Sequence, residues 1–188
     1  MQLVAPAVPV LWRTLQVVAT LAFISMETLA YLYSPLGMLA LSASDAGLHA
    51  VRFLDREAPA PTAPADLAAC LQEPYHQLKA YFAGELRAFN LVCAPLAGTA
   101  FQRQVWAALA GVAHGRTASY LDIAKLLNNP KSVRAVGAAN GQNPLPIVWP
   151  CHRIVGANGS LTGYAGGLVR KQWLLAFEQP EHQGSLFS

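Results

Sequence analysis

Carboxylates are scarcest where this chain is richest in cations. Between Phe101 and Glu178 only Asp122 and Glu178 are acidic, against eight Lys and Arg, whereas Met1 to Ala100 holds seven acids against five. The second half therefore offers a basic surface of the kind that meets phosphates, although a solvated basic face would read the same way. Charge is thin throughout, at 12%, and the apolar share is 54%, which excludes a disordered chain. A length of 188 residues leaves room for one or two domains with a proper core. Cysteine is rare too: Cys70, Cys93 and Cys151 are widely spaced, odd in number, and form no CxxC pair or Cys/His cluster. That excludes a disulfide framework, gives no reason to expect a metal, and fits a reducing, cytoplasmic setting.

Apolar residues dominate Leu3 to Ile24, but Arg13 interrupts the run and no cationic segment precedes it. Export, an extra amphipathic helix, and a true start at Met26 are all open for residues 1–25. From Tyr31 to Leu54 the pattern is β, with turn signals at Ser34-Pro35 and Asp45-Ala46-Gly47. "PAPTAP" at 59–64 is a loop, Pro74 to Ala83 reads as a helix with Tyr75, Leu78 and Phe82 on one side, and Leu86 to Val92 reads as a returning strand. We expect a small α/β unit over residues 26–97.

A helical unit follows over 98–180, with 181–188 as a tail. Thr99 is placed to cap a helix carrying Phe101, Val105 and Leu109, which Gly111 ends. Ser119 is placed to cap "SYLDIAKLL", with Asp122 near its positive end. Asn129 as cap and Pro130 at the first helical position begin a third helix, "PKSVRAVGAANG". Two short helices joined by a tight turn suggest a helix-turn-helix, though any helical hairpin would look alike. The third helix has small residues at Ser132, Ala135, Gly137, Ala138 and Ala139 beside the long Arg134. Such a face could approach the narrow minor groove of DNA and wedge one side chain between bases. Close helix packing also favours small residues but explains Arg134 less easily.

In "IVWPCHR" a thiol stands between a proline and a histidine. A thiolate is a nucleophile, a histidine can take its proton, and a carboxylate can orient that histidine. Adjacent residues on a strand face opposite ways, so Cys151 and His152 would need a turn or a bridging water. Glu178 is the available carboxylate, at the end of "LVRKQWLLAFE". Spacing alone also allows an inert cysteine beside a surface histidine.

"NPLPIVWPCHRIVG" and "GSLTGYAGGLVRKQWLLAFE", with "FQRQVWAAL", "SYLDIAKLL" and "VRAVGAANGQNP" upstream, resemble the O6-alkylguanine-DNA alkyltransferases, also called methylated-DNA–protein-cysteine methyltransferases. The likeness runs from Gly98 to Glu178, and "SPLG" at 34–37 suits the family's variable N-terminal domain. It implies an α/β (α+β) protein: a small sheet-and-helix domain, then a mainly helical DNA-binding domain with a helix-turn-helix and a cysteine loop. It implies that Cys151 accepts an alkyl group from guanine O6, that His152 draws off the thiol proton through a water, and that Glu178 holds His152. It gives Tyr120 the rotation of the nucleotide and a hydrogen bond to the base that lets guanine leave uncharged, Arg134 the gap left in the duplex, and Asn143 the turn joining helix to thiol. Ser132, Ala135 and Gly137 would lie against DNA. Tyr164 and Ala165 would close over the base, with the Ala165 N–H donating to O6. The partner implied is double-stranded DNA carrying O6-alkylguanine, approached from the minor groove by a monomer with no cofactor and no obligate protein partner.

Trp149 departs from the family, which has an aliphatic residue there. Two positions before Cys151 on an extended segment, it would share the thiol's side and narrow the base pocket, or fill core. Arg153 reads as an ion-pair partner, and Trp106 and Trp173 as core. Two rival functions remain: a lesion-binding protein of this fold with slow transfer, and a Cys-His hydrolase.

Overall fold

Three β-strands open the described residues, the first alternating in burial and the next two carrying continuous buried runs. The structure, a computed structural model, describes residues 27–55 and 58–179; the expectations for 1–25 and 181–188 fall outside them. Strands β1 (Thr28–Ser34), β2 (Gly37–Ser44) and β3 (Gly47–Leu54) form an antiparallel meander in that order. Leu32 faces Leu39 and Ala30 faces Leu41, so one side of the sheet carries the apolar residues. Gly47 makes the second turn at φ +127°, and a Cβ there would come within 2.5 Å of the Val92 carbonyl oxygen. Only glycine satisfies both demands. The edge of β1 is closed by Thr62, which exchanges hydrogen bonds of 2.9 Å with Tyr31 in both directions.

Helix α1 (Ala69–Phe82) lies on the apolar face of the sheet and buries Leu71, Pro74, Tyr75, Leu78 and Tyr81. It begins more than a turn before the expected Pro74, which sits inside it. Tyr81 rather than Phe82 is the fully buried ring, because the stripe Leu71–Leu78–Tyr81 advances at the helical period. Leu86 to Val92 is not a strand. The chain there passes β3 with a single bridge, in which Leu48 N–H donates to Val92 O and Ala94 N–H to Leu48 O, each at 2.8 Å.

The helices that follow start where their caps direct. Thr99 and Gln102 form a capping box for α2 (Ala100–Ala110), as Ser119 and Asp122 do for α3 (Tyr120–Leu126). Pro130–Ser132 is a 3₁₀ turn rather than α-helix, Asn129 makes no side-chain cap, and α4 runs Val133–Gly141. Val105, Trp106, Leu109, Ile123, Val136 and Ala139 join these helices in one apolar cluster, locked by Trp106 Nε1 donating to Ala139 O at 2.8 Å. Strand β4 (Ala118–Ser119) pairs in parallel with β5 (Ile154–Val155), which sets the start of α3 beside the residues that follow Cys151. Helix α5 (Leu168–Phe177) closes the described chain. Leu145, Ile147, Val148 and Leu174 enter the core of the sheet and α1, so the two halves share buried surface.

Candidate active site

Cys151, His152 and Arg153 form one 3₁₀ turn, not an extended strand. Trp149 N–H donates to Leu145 O at 2.8 Å and Cys151 N–H to Trp149 O at 2.7 Å, so the chain coils into the thiol. Ile147 holds a φ of +75°, a strained conformation for a β-branched residue, kept by full burial of its side chain. The coil sends neighbouring side chains to different places. Cys151, 2% exposed, lines a cavity of about 440 Å³ with Asn143, Phe53, Ala165, Gly166 and Arg170. Trp149 turns away from it. It stacks on Trp106 with centroids 5.7 Å apart and lines another cavity with Arg87, Phe89, His114 and Arg153. Of the two places the sequence leaves open it takes the one against the core rather than the base pocket, because the alternation argument requires an extended segment and this one is turned. Arg153 is the ion-pair partner the sequence suggests, and Trp106 is core at 2% exposure, while Trp173 is half-buried.

Behind the thiol, His152 is fully buried and its Nε2 meets Glu178 Oε1 at 2.9 Å. Burial holds its pKa below the ordinary 6.5, against the hydrogen bond and charge of Glu178. The ring is therefore neutral near pH 7. Its Nε2 carries the hydrogen toward the carboxylate, which leaves Nδ1, buried and without a protein partner among the described residues, as its basic atom. Burial works against ionisation of Glu178, but hydrogen bonds from His152 and Arg153, and their charges, overcome it and hold its pKa well below the ordinary range. Arg153 Nε and Nη2 grip the two carboxylate oxygens at 2.8 Å each, and Gly115 N–H adds a bond of 3.1 Å. Gly115 has φ +70°, and a Cβ there would lie 2.8 Å from Glu178 O.

Burial pushes the Cys151 thiol up to about 11, opposed by the Asn143 side chain, the Cys151 and His152 backbone, and the charge of Lys171. The resting sulfur is a protonated thiol that needs a base. Asn143 also fixes the loop: its Nδ2 donates to Trp149 O at 2.7 Å and its Oδ1 accepts from Leu145 N–H at 2.9 Å. Asn140, on α4, donates to Cys151 O at 3.3 Å. Lys171 Nζ donates to Ile154 O at 2.6 Å and Thr162 O at 3.0 Å, tying α5 to the loop over the thiol.

That loop and α4 frame an open concavity of about 470 Å³, lined by Tyr120, Arg134, Gly137, Thr162, Tyr164 and Ala165. Arg134, Ala135 and Ala138 are exposed, whereas Val136, Ala139 and Asn140 face inward. Ser132 is half-buried and its hydroxyl donates to Asn129 O at 2.7 Å. The Tyr120 hydroxyl accepts from Thr162 Oγ1 at 3.0 Å, and a Cβ at Gly137 would lie 3.8 Å from the Tyr120 ring. The Tyr164 hydroxyl is buried without a well-formed hydrogen bond, and burial first, then the neighbouring Cys151, raises its pKa. Ala165 borders both this concavity and the thiol's cavity.

The family model described as "6-O-methylguanine DNA methyltransferase, DNA binding domain" matches residues 100–180, and the companion "ribonuclease-like domain" matches 28–95. The chain belongs to the 6-O-methylguanine DNA methyltransferase family. It is 46% identical over 147 residues to a methylated-DNA–protein-cysteine methyltransferase of Methanosarcina acetivorans, covering 77% of this chain and 94% of that one. A protein of the same name from Mycolicibacterium paratuberculosis is 46% identical over 154 residues, covering 81% and 93%. The solved O6-methylguanine methyltransferase of Mycobacterium tuberculosis superposes with a TM-score of 0.72 at 38% identity, covering 87% of this chain and 97% of that one. The M. tuberculosis OGT in complex with DNA superposes at 0.70 with 41% identity, covering 79% and 91%. This methyltransferase fold is mixed α/β, with the small antiparallel sheet leading into the helical region.

Three residues of this family member escape a reading by motif: Tyr81, Lys171 and Arg170. Lys171 sits at i, i+3 and i+7 with the buried Leu174 and Glu178, and that spacing marks it as inward-facing. Arg170 lies 4.6 Å over the Phe53 ring, pairs with Asp55 at 2.7 Å and donates to Leu36 O and Gly166 O at 3.2 Å each. It clasps the loop to the first hairpins through contacts that no local pattern encodes.

Proposed function

We propose that this protein repairs DNA by moving an alkyl group from guanine O6 to the sulfur of Cys151, once per molecule. The observation that carries it is a buried thiol followed at once by a buried His152 whose Nε2 meets Glu178 Oε1 at 2.9 Å. His152 takes the thiol proton through a water. The thiolate attacks the alkyl carbon, the S–C bond forms as the C–O6 bond breaks, and guanine leaves with a proton delivered through the Tyr120 hydroxyl, which the proton taken from the thiol replaces. A neutral leaving base needs a donor near O6, and the Ala165 N–H is in the right loop. Because the product is a thioether, which water does not hydrolyse, the site stays alkylated.

The thiol is reached only if the base leaves the stack, since a paired guanine hides O6. Tyr120, Tyr164 and Ala165 then receive it, with Arg134 filling the gap and Ser132, Ala135 and Gly137 allowing α4 into the minor groove. The basic second half supplies phosphate contacts, so binding weakens with added salt. We assign the protein to the cytoplasm as a monomer on duplex DNA. The described residues contain no helix long and apolar enough to cross a membrane, and all three cysteines are free.

The test is loss of O6-methylguanine from a duplex oligonucleotide. Wild type removes it in proportion to protein added, and Cys151→Ala binds the duplex but removes none. Binding by wild type without removal would favour the lesion-binding alternative, and repeated turnover of an acyl ester would favour a hydrolase.

A further inference from the structure

Glu178 Oε1 takes three donors. Two come from the thiol turn: His152 Nε2 at 2.9 Å and Arg153 Nη2 at 2.8 Å. The third is the Tyr81 hydroxyl at 2.8 Å, from a helix ninety-seven residues earlier in the chain. Tyr81 is fully buried, and its ring is wedged between Phe82, Phe89, His114 and Phe177. The hydroxyl cannot swing elsewhere without repacking that cluster.

We propose that Tyr81 is a positioning residue for the thiol chemistry, reaching from the N-terminal unit to share Glu178 Oε1 with His152 and so limit how tightly the carboxylate grips the imidazole. It rests on the alkyl-transfer reading of Cys151. Donors that converge on one oxygen compete for its electron density, and each weakens the others. Without the phenol, Oε1 still holds two donors, so no buried acceptor is orphaned, and its bond to His152 tightens. A tighter bond to the imidazolium stabilises that form, and the ring keeps its proton to higher pH. Fewer molecules then hold a free base, and transfer slows on the acid side. The other groups that face this relay are Arg153, Lys171, His114, Cys151, Tyr164 and, next to His114, Arg87. None is removed when Tyr81 loses its hydroxyl.

The experiment measures the rate of alkylation by O6-benzylguanine across the acid and neutral range. Wild type must first label at Cys151; failure there overturns the alkyl-transfer reading, not the role of Tyr81. Given labelling, Tyr81→Phe should move the midpoint of the acid limb upward by about half a unit, a ~3-fold change in proton affinity. Phe89→Leu disturbs the same packing but spares the hydroxyl, and should keep the wild-type midpoint. The shift should persist in a His114→Asn background, which removes the other titrating ring against Tyr81. Should Tyr81→Phe fold poorly, 3-fluorotyrosine placed at position 81 keeps the packing and is a stronger donor, so the limb should move downward. An unmoved midpoint in Tyr81→Phe and with the fluorinated ring, or an equal shift in Phe89→Leu, would overturn the proposal.

Discussion

Glu178 binds five donors through two oxygens, and one of its partners, Arg153, is a permanent cation buried with it. Removing the charge of Glu178 leaves that guanidinium unpaired in the interior. Glu178→Gln should therefore cost about 3–5 kcal/mol, read from denaturant midpoints, and slow alkyl transfer because His152 loses its fixed orientation. Retained stability would mean that Arg153 finds water instead. Asn143→Ala should cost about 1–3 kcal/mol by the same measurement, since it strips Trp149 O and Leu145 N–H of their partners. At this scale the sequence was legible wherever chemistry is written in neighbouring letters. Cys151, His152 and a distant acid could be named from motif and scarcity. Trp149 could not be placed, because its direction depends on the coil through Ile147, and a β-branched residue gives no hint of a positive φ.

Helix α4 divides its residues cleanly between faces. Arg134, Ala135 and Ala138 face outward, while Val136, Ala139 and Asn140 face the core and the thiol loop. Arg134→Ala removes an exposed side chain, so stability should barely change. Transfer from a duplex should slow by an order of magnitude or more, while reaction with free O6-benzylguanine stays near wild type. Equal losses on both substrates, measured side by side, would make Arg134 structural. Helix starts were readable because Thr99 and Ser119 announce them in side-chain chemistry. The start of α1 was not, because Ala68 offers no cap hydrogen bond and Pro74 imitates a first turn.

The whole molecule depends on contacts that cross from the first half to the second. Tyr81 reaches Glu178, Arg170 reaches Leu36 and Asp55, and Leu174 enters the core of the sheet and α1. These pairings are separated by about the length of a domain, and periodicity cannot reveal which buried stripe meets which. They also fix how stability varies with pH. His152 is held below its ordinary 6.5 by burial, so the unfolded chain binds a proton the native one refuses, and stability falls as pH drops below that value. Glu178 is held below its ordinary 4.5, so its contribution is complete above that value and is lost as pH falls further. Cys151 and Tyr81 are raised above 9.0 and 10.0, so alkaline solution favours the unfolded chain, which ionises first. Thermal midpoints should thus decline on both sides of neutrality, and the His152→Gln variant should lose part of the acid-side decline below 6.5. The central claim, that one sulfur permanently keeps the carbon it takes from guanine, is tested most directly by titrating the protein with excess O6-methylguanine duplex and measuring intact and peptide masses. The account predicts a single added methyl per chain, confined to the peptide holding Cys151, with no further repair once it is present. An unmodified Cys151 after the lesion has gone, or a methyl on any other residue, would contradict it.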